Sequence, residues 1–162
     1  MLKALGLDHF LDHLNGHARR LIFGNMINAI GMGLTMTLFL VYLHTIRGFS
    51  GGFSGLVMSY MAIFSMVINP LIGILIDKYG GRIVLIFGLF TKAVGVFSLA
   101  FVESKPQVIG VATILAIGDS ANWPAQTVCL TRMVEEEARQ KVFAFNFMAL
   151  NLGIGIGGIL SA

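Results

Sequence analysis

Five stretches of this chain stay apolar for about the length of a membrane-spanning helix, roughly 20 residues, and short polar clusters separate them. They are Ile22–Leu43, Gly55–Ile76, Ile83–Val102, Val108–Leu130 and Val142–Ala162. The runs are unbroken, whereas barrel strands alternate apolar and polar positions. The pattern predicts an all-α membrane protein with five transmembrane helices in a bundle over residues 21–162. Residues 1–20 differ. Leu7, Phe10, Leu11 and Leu14 form one face and Asp8, Asp12 and the histidines the other, which predicts a short amphipathic helix on the cytoplasmic surface. The first apolar run is too long for a secretory signal and has no small-x-small cleavage site after it.

Composition agrees. The sequence is 56% hydrophobic and 12% charged, against about 25% charged in soluble domains. Its twenty glycines would weaken soluble helices, but in lipid they let helix backbones approach closely. The net charge of +3 does not form a nucleic-acid surface, because the charges are spread among the loops. Lys3, Arg19, Arg20, Lys78, Arg82, Arg132, Arg139 and Lys141 fall on one side, and Arg47 and Lys105 on the other. By the positive-inside rule the N-terminus is cytoplasmic, and five spans place Ala162 outside. Localisation is therefore integral to a cell or inner membrane. Cys129 is alone, so no internal disulfide forms. His9, His13 and His17 have the helical spacing of a zinc pair, but Gly16 interrupts the helix and no cysteine assists; they read as a solvated polar face. No metal or cofactor is expected, and no nucleophile–base set suggests an enzyme.

Within the apolar segments a few polar residues stand out. Gly24, Asn28, Gly31 and Thr35 share a stripe of the first, beside Asn25. Asn69-Pro70 interrupts the second, where the missing amide predicts a bend. Asp119, Asn122 and Gln126 lie on one face of the fourth, around Trp123-Pro124. A carboxylate at bilayer centre costs about 2.5–3.5 kcal/mol on insertion scales, which makes Asp119 a functional candidate. Lys92, in the third segment at matched depth, is read as its counter-charge, as the partner of a polar group elsewhere in the membrane, or as a snorkelling cation, which its central depth makes harder. Asn25, Asn28, Thr35, Asn122 and Gln126 suit either a cavity wall or bonds between helices, worth about 0.6 kcal/mol each.

The string Gly73–Arg82 (GILIDKYGGR) resembles the loop signature G-x-x-x-D-[RK]-x-G-[RK]-[RK] of the major facilitator superfamily, found between that family's second and third helices. Gly73, Asp77, Lys78, Gly80 and Arg82 fill their places, and Gly81 replaces a basic residue. Pro70, ahead of Gly73, is similar to the family's second helix, and Glu136-Glu137-Ala138-Arg139 to its fourth loop. The run from Asn151 to Gly158 resembles the antiporter signature G-x-x-x-G-P-x-x-G-G. Gly153 and Gly157 are in place, Gly158 stands where proline is usual, and Ser161 and Ala162 where glycines are.

The resemblance implies an incomplete N-terminal six-helix half of a twelve-helix transporter, with a sixth helix and second half missing. Either the sequence is a truncated piece, or an oligomeric partner completes it. The implied function is alternating-access transport of a small molecule by a longer protein, either proton-coupled export, as the partial antiporter signature suggests, or symport or uniport of a nutrient. Its partners would be the lipid bilayer, a small-molecule substrate and the missing half. Asp119 and Lys92 would couple protonation to transport, and the loop from Gly73 to Arg82 would gate the cytoplasmic side. Gly153 and Gly157 would pack helices. The alternative is a naturally short membrane protein that transports nothing and assembles with or regulates a larger partner.

Overall fold

The computed structural model describes residues 15–161. Helix α1 (Gly16–Val41) passes into a π-helical turn (Tyr42–Ile46). Then follow α2 (Gly51–Tyr79), α3 (Gly81–Leu99), α4 (Lys105–Met133), a 3-10 turn (Glu136–Ala138) and α5 (Arg139–Leu160). No strand occurs among the described residues. Each expected apolar segment forms the body of one helix.

The borders differ at two places. Gly16–Arg20 are the first residues of α1, so the helix starts ahead of the expected apolar segment. Ala18 and Ile22 lie four apart on the buried face, which carries the helix through that point. His9, His13 and the rest of the expected surface helix lie outside the described residues. At the other place, α2 extends through Asp77 and Lys78 to Tyr79, and only Gly80 separates it from α3. Gly80 has φ +85°, a conformation glycine adopts without the steric cost a Cβ brings, and its N–H closes α2 on Ile76 O at 2.8 Å.

Among the described residues, four helical stretches are long and apolar enough to cross a membrane: Gly16–Ile46, Gly51–Tyr79, Gly81–Leu99 and Glu136–Leu160. Helix α4, expected as a fifth, is equally long but not among them. Asp119, Ser120, Asn122, Pro124 and Gln126 interrupt its apolar character. Such a helix is tolerated in a bilayer when its polar face meets protein or a cavity. Elsewhere large apolar side chains face outward, Met66 and Ile159 at 78% exposure and Phe90 at 69%. An apolar surface that extensive belongs against lipid.

The described residues form two compact units, one of residues 15–39 with 130–161, the other Leu40–Cys129. In the first, Ala18, Ile22, Leu130, Val142 and Ala149 make the buried cluster. There α1 and α5 approach as closely as backbone permits. A Cβ on Gly153 would fall 2.6 Å from Met26 O, and one on Gly157 2.9 Å from Leu34 N and 3.0 Å from Gly33 Cα. This is small-residue packing of the kind lipid favours.

In the second unit α3 and α4 cross in the same way. A Cβ on Gly88 would meet Ala121 Cβ at 2.8 Å, and one on Gly95 would meet Leu115 Cδ2 at 2.7 Å. Gly81 fits under the end of the same crossing, where a Cβ would lie 3.0 Å from Ala125 O. The Tyr60 hydroxyl and Thr113 Oγ1, 2.7 Å apart, tie α2 to α4. At the far end of α3, Tyr42 donates its hydroxyl hydrogen to Leu99 O, and Arg47 donates to Ala100 O at 2.6 Å. A cation on those last carbonyls is favoured by the helix dipole.

Candidate functional site

The glycines of the α3–α4 crossing decide where the charges meet. Gly118 lies so near α3 that a Cβ on it would fall 2.8 Å from Lys92 N and 2.9 Å from Lys92 Cβ. The next residue on α4 is Asp119. Its Oδ1 lies 2.7 Å from Lys92 Nζ, with the lysine side chain 11% exposed and the aspartate side chain 40% exposed. That separation is short enough for a hydrogen bond, yet none with acceptable angles reaches the Lys92 ammonium. Charge therefore holds the pair. The lysine is enclosed behind, and the carboxylate stands partly open in front.

In front of Asp119 lies an open cavity of about 450 Å³ between α2 and α4, lined by Ser65, Asn69, Gly73, Asp119, Ser120, Trp123 and Pro124. Ser120 is 6% exposed and its hydroxyl has no hydrogen-bond partner. Pro124 has no N–H, so it also withholds the helical bond that Ser120 O would otherwise accept. Trp123 is 55% exposed.

The other expected site residues scatter. Asn122 is half-buried on α4, and Gln126 is buried with Oε1 unpartnered. Asn25 is buried, and its Nδ2 donates to Asn146 Oδ1 at 3.0 Å, joining α1 to α5. That is a bond between helices, one of the two roles its sequence position allows. Asn146 is absent from the candidates read from the sequence. It is detectable by the rule that draws attention to Asn25, as an amide in a mostly apolar segment. Asn28 is half-buried. Thr35 turns its hydroxyl back to Gly31 O at 2.8 Å. Asp77 and Lys78, in the last turn of α2, are exposed, as is Arg82 in the first turn of α3. Gly73 lines the cavity and is not in the turn. Gly153 and Gly157 pack against α1 as described.

The sequence profile described as Major Facilitator Superfamily matches residues 21–162. The chain belongs to this superfamily. It is an integral membrane protein of that family's helical type. It is 25% identical to the multi-drug resistance efflux pump PmrA homolog of Lactococcus lactis, over 89% of this chain and 37% of the relative. It is 29% identical to the uncharacterized MFS-type transporter YttB of Bacillus subtilis, over 86% of this chain and 35% of that one. It is 26% identical to the quinolone resistance protein NorA of Staphylococcus aureus, over 87% and 37%. This superfamily member thus spans little more than a third of the length of these relatives.

Proposed function

We propose that this chain is part of a transporter that exports a small organic molecule across the membrane by alternating access, with Asp119 as the proton-coupling residue. The Lys92–Asp119 pair beside an open cavity carries this reading. A carboxylate with one oxygen on an enclosed ammonium and a partly open side can exchange that partner for a proton or a ligand. Such intramembrane carboxylates belong to ion and substrate pathways. Export is favoured by the names of two relatives, an efflux pump and a quinolone resistance protein.

Alternating access in this superfamily uses two halves with the site between them near mid-membrane. A second half, in the same polypeptide or from a partner, completes the transport unit. Asp77, Lys78 and Arg82 lie on the cytoplasmic side, where their exposure suits a gate against that other half. The excess of basic residues on that side supports a cytoplasmic N-terminus.

The test is efflux of fluorescent organic compounds from cells carrying the gene at its native locus, compared with a deletion strain. Faster accumulation of at least one compound in the deletion strain, reversed by complementation, is the expected result. Equal accumulation across a chemically broad panel, together with co-purification of an intact unrelated membrane protein, would replace transport with an assembly role.

A further inference from the structure

Helices α1 and α5 run in the same direction. Asn25 bonds to Asn146, Gly153 sits against Ala29 and Gly157 against Gly33, and Ala18 and Val142 share one buried cluster. That register brings Lys141 level with the first turns of α1, where Arg19 stands. Arg19 follows the buried Ala18 by one residue, and Lys141 precedes the buried Val142 by one. In parallel helices these two positions lie on the same side of the pair, as e and g positions do in a parallel coiled coil. Further along that side stand Phe23 on α1 and Met148 and Leu152 on α5, all exposed. Arg19 and Arg20 are the last charged residues before the apolar run of α1, and Lys141 the last before that of α5. The two helical stretches have 31 and 25 residues. At 1.5 Å per residue they reach about 46 and 37 Å, more than the roughly 30 Å hydrocarbon core. With their last charges at the starting end, that end stands among lipid headgroups. Glu136 is 3.8 Å from Arg139 there, but among the described residues no carboxylate forms an ion pair with Arg19 or Lys141.

We propose that this face of the α1–α5 pair binds one anionic phospholipid, its phosphate between Arg19 and Lys141 and an acyl chain along Phe23, Met148 and Leu152. Charge selects the occupant. An apolar helix laid on the same face would cover Phe23 and Leu152 but leave two cations at its rim without an anion. A zwitterionic lipid brings its own ammonium beside the phosphate, which repels both. Basic residues at a membrane surface attract anionic lipids, each by about fivefold in partition, so two give about twentyfold. Such binding needs neither transport nor a second half.

The experiment is native mass spectrometry of the purified chain released from nanodiscs of equal parts phosphatidylglycerol and phosphatidylcholine. One retained phosphatidylglycerol per chain is expected, favoured over phosphatidylcholine by about twentyfold. Arg19→Gln and Lys141→Gln should each reduce that preference about fivefold, whereas Arg19→Lys, which keeps the charge, should leave it nearly intact. Lys105→Gln, at the opposite end of α4 from this cluster, should leave it unchanged. Equal retention of the two lipids, an unchanged preference when Arg19→Gln and Lys141→Gln are combined, or the same loss in Arg19→Lys or Lys105→Gln overturns the proposal. A dimer that retains no lipid also overturns it, and puts a second copy of the chain on this face.

Discussion

Gly118 on α4 lies against the backbone of Lys92 on α3, where even a methyl group on the glycine would fall 2.8 Å from Lys92 N. The same crossing places Asp119, the next residue, 2.7 Å from the lysine ammonium. Helix packing and charge pairing are thus one arrangement, and the absence of a side chain at Gly118 is the condition for both.

Gly118→Ala should therefore do more than change helix propensity, which favours alanine by about 1 kcal/mol. The new methyl meets backbone, which cannot rotate away, so a net loss of about 1–3 kcal/mol is expected from overpacking. Gly155→Ala is the control, since nothing lies within 4 Å of its Cβ position, and it should be neutral or stabilising. Unfolding midpoints in detergent compare the two.

Lys92→Ala and Asp119→Ala should each lower stability, and the double variant should lose less than the sum of the two. Removing one partner strands the other charge, whereas removing both strands none. A coupling on the order of 1 kcal/mol is expected, reduced from fully buried values because the Asp119 side chain is 40% exposed. Additivity within about 0.3 kcal/mol in a double-mutant cycle contradicts the pair.

Much of this site is legible in the sequence, and what is not has a common cause. Lys92 and Asp119 can be matched because each falls near the middle of its segment, and depth in a bilayer can be counted along a chain. Which helix a glycine faces cannot be counted that way. Nothing in the sequence shows that Gly88, Gly95 and Gly118 meet each other's helices, so the third segment looks unremarkable apart from Lys92. Gly81, a departure from the loop signature, has a local reason in its fit against α4. The polar stripe of α1 leaves the choice between a cavity wall and bonds to other helices open. Asn25 stands beside Asn28 and Thr35 as if to form a wall, but its partner is Asn146 on α5, and Thr35 bonds within its own helix.

Asn25→Ala and Asn146→Ala should each cost about 0.6 kcal/mol, a typical value for hydrogen bonds between membrane helices. The double variant should cost hardly more than either single one, because the same bond is lost. Thr35→Val should change little beyond its own helix. Thermal unfolding of the purified variants checks both.

Gly157→Ala should disturb the α1–α5 contact more than Gly155→Ala, since its Cβ would run into Ile30 O and approach Leu34 N at 2.9 Å. Protease sensitivity of the purified chain is the readout. Faster digestion of Gly157→Ala is expected, with Gly155→Ala as resistant as the parent.

The most direct measurement is export driven by an imposed pH gradient in inverted vesicles carrying the complete transport unit, compared between the parent and Asp119→Asn at equal expression. Loss of pH-driven export in Asp119→Asn is the expected result. Undiminished pH-driven export would remove Asp119 from the coupling role and leave Lys92–Asp119 as an ion pair that only holds α3 to α4.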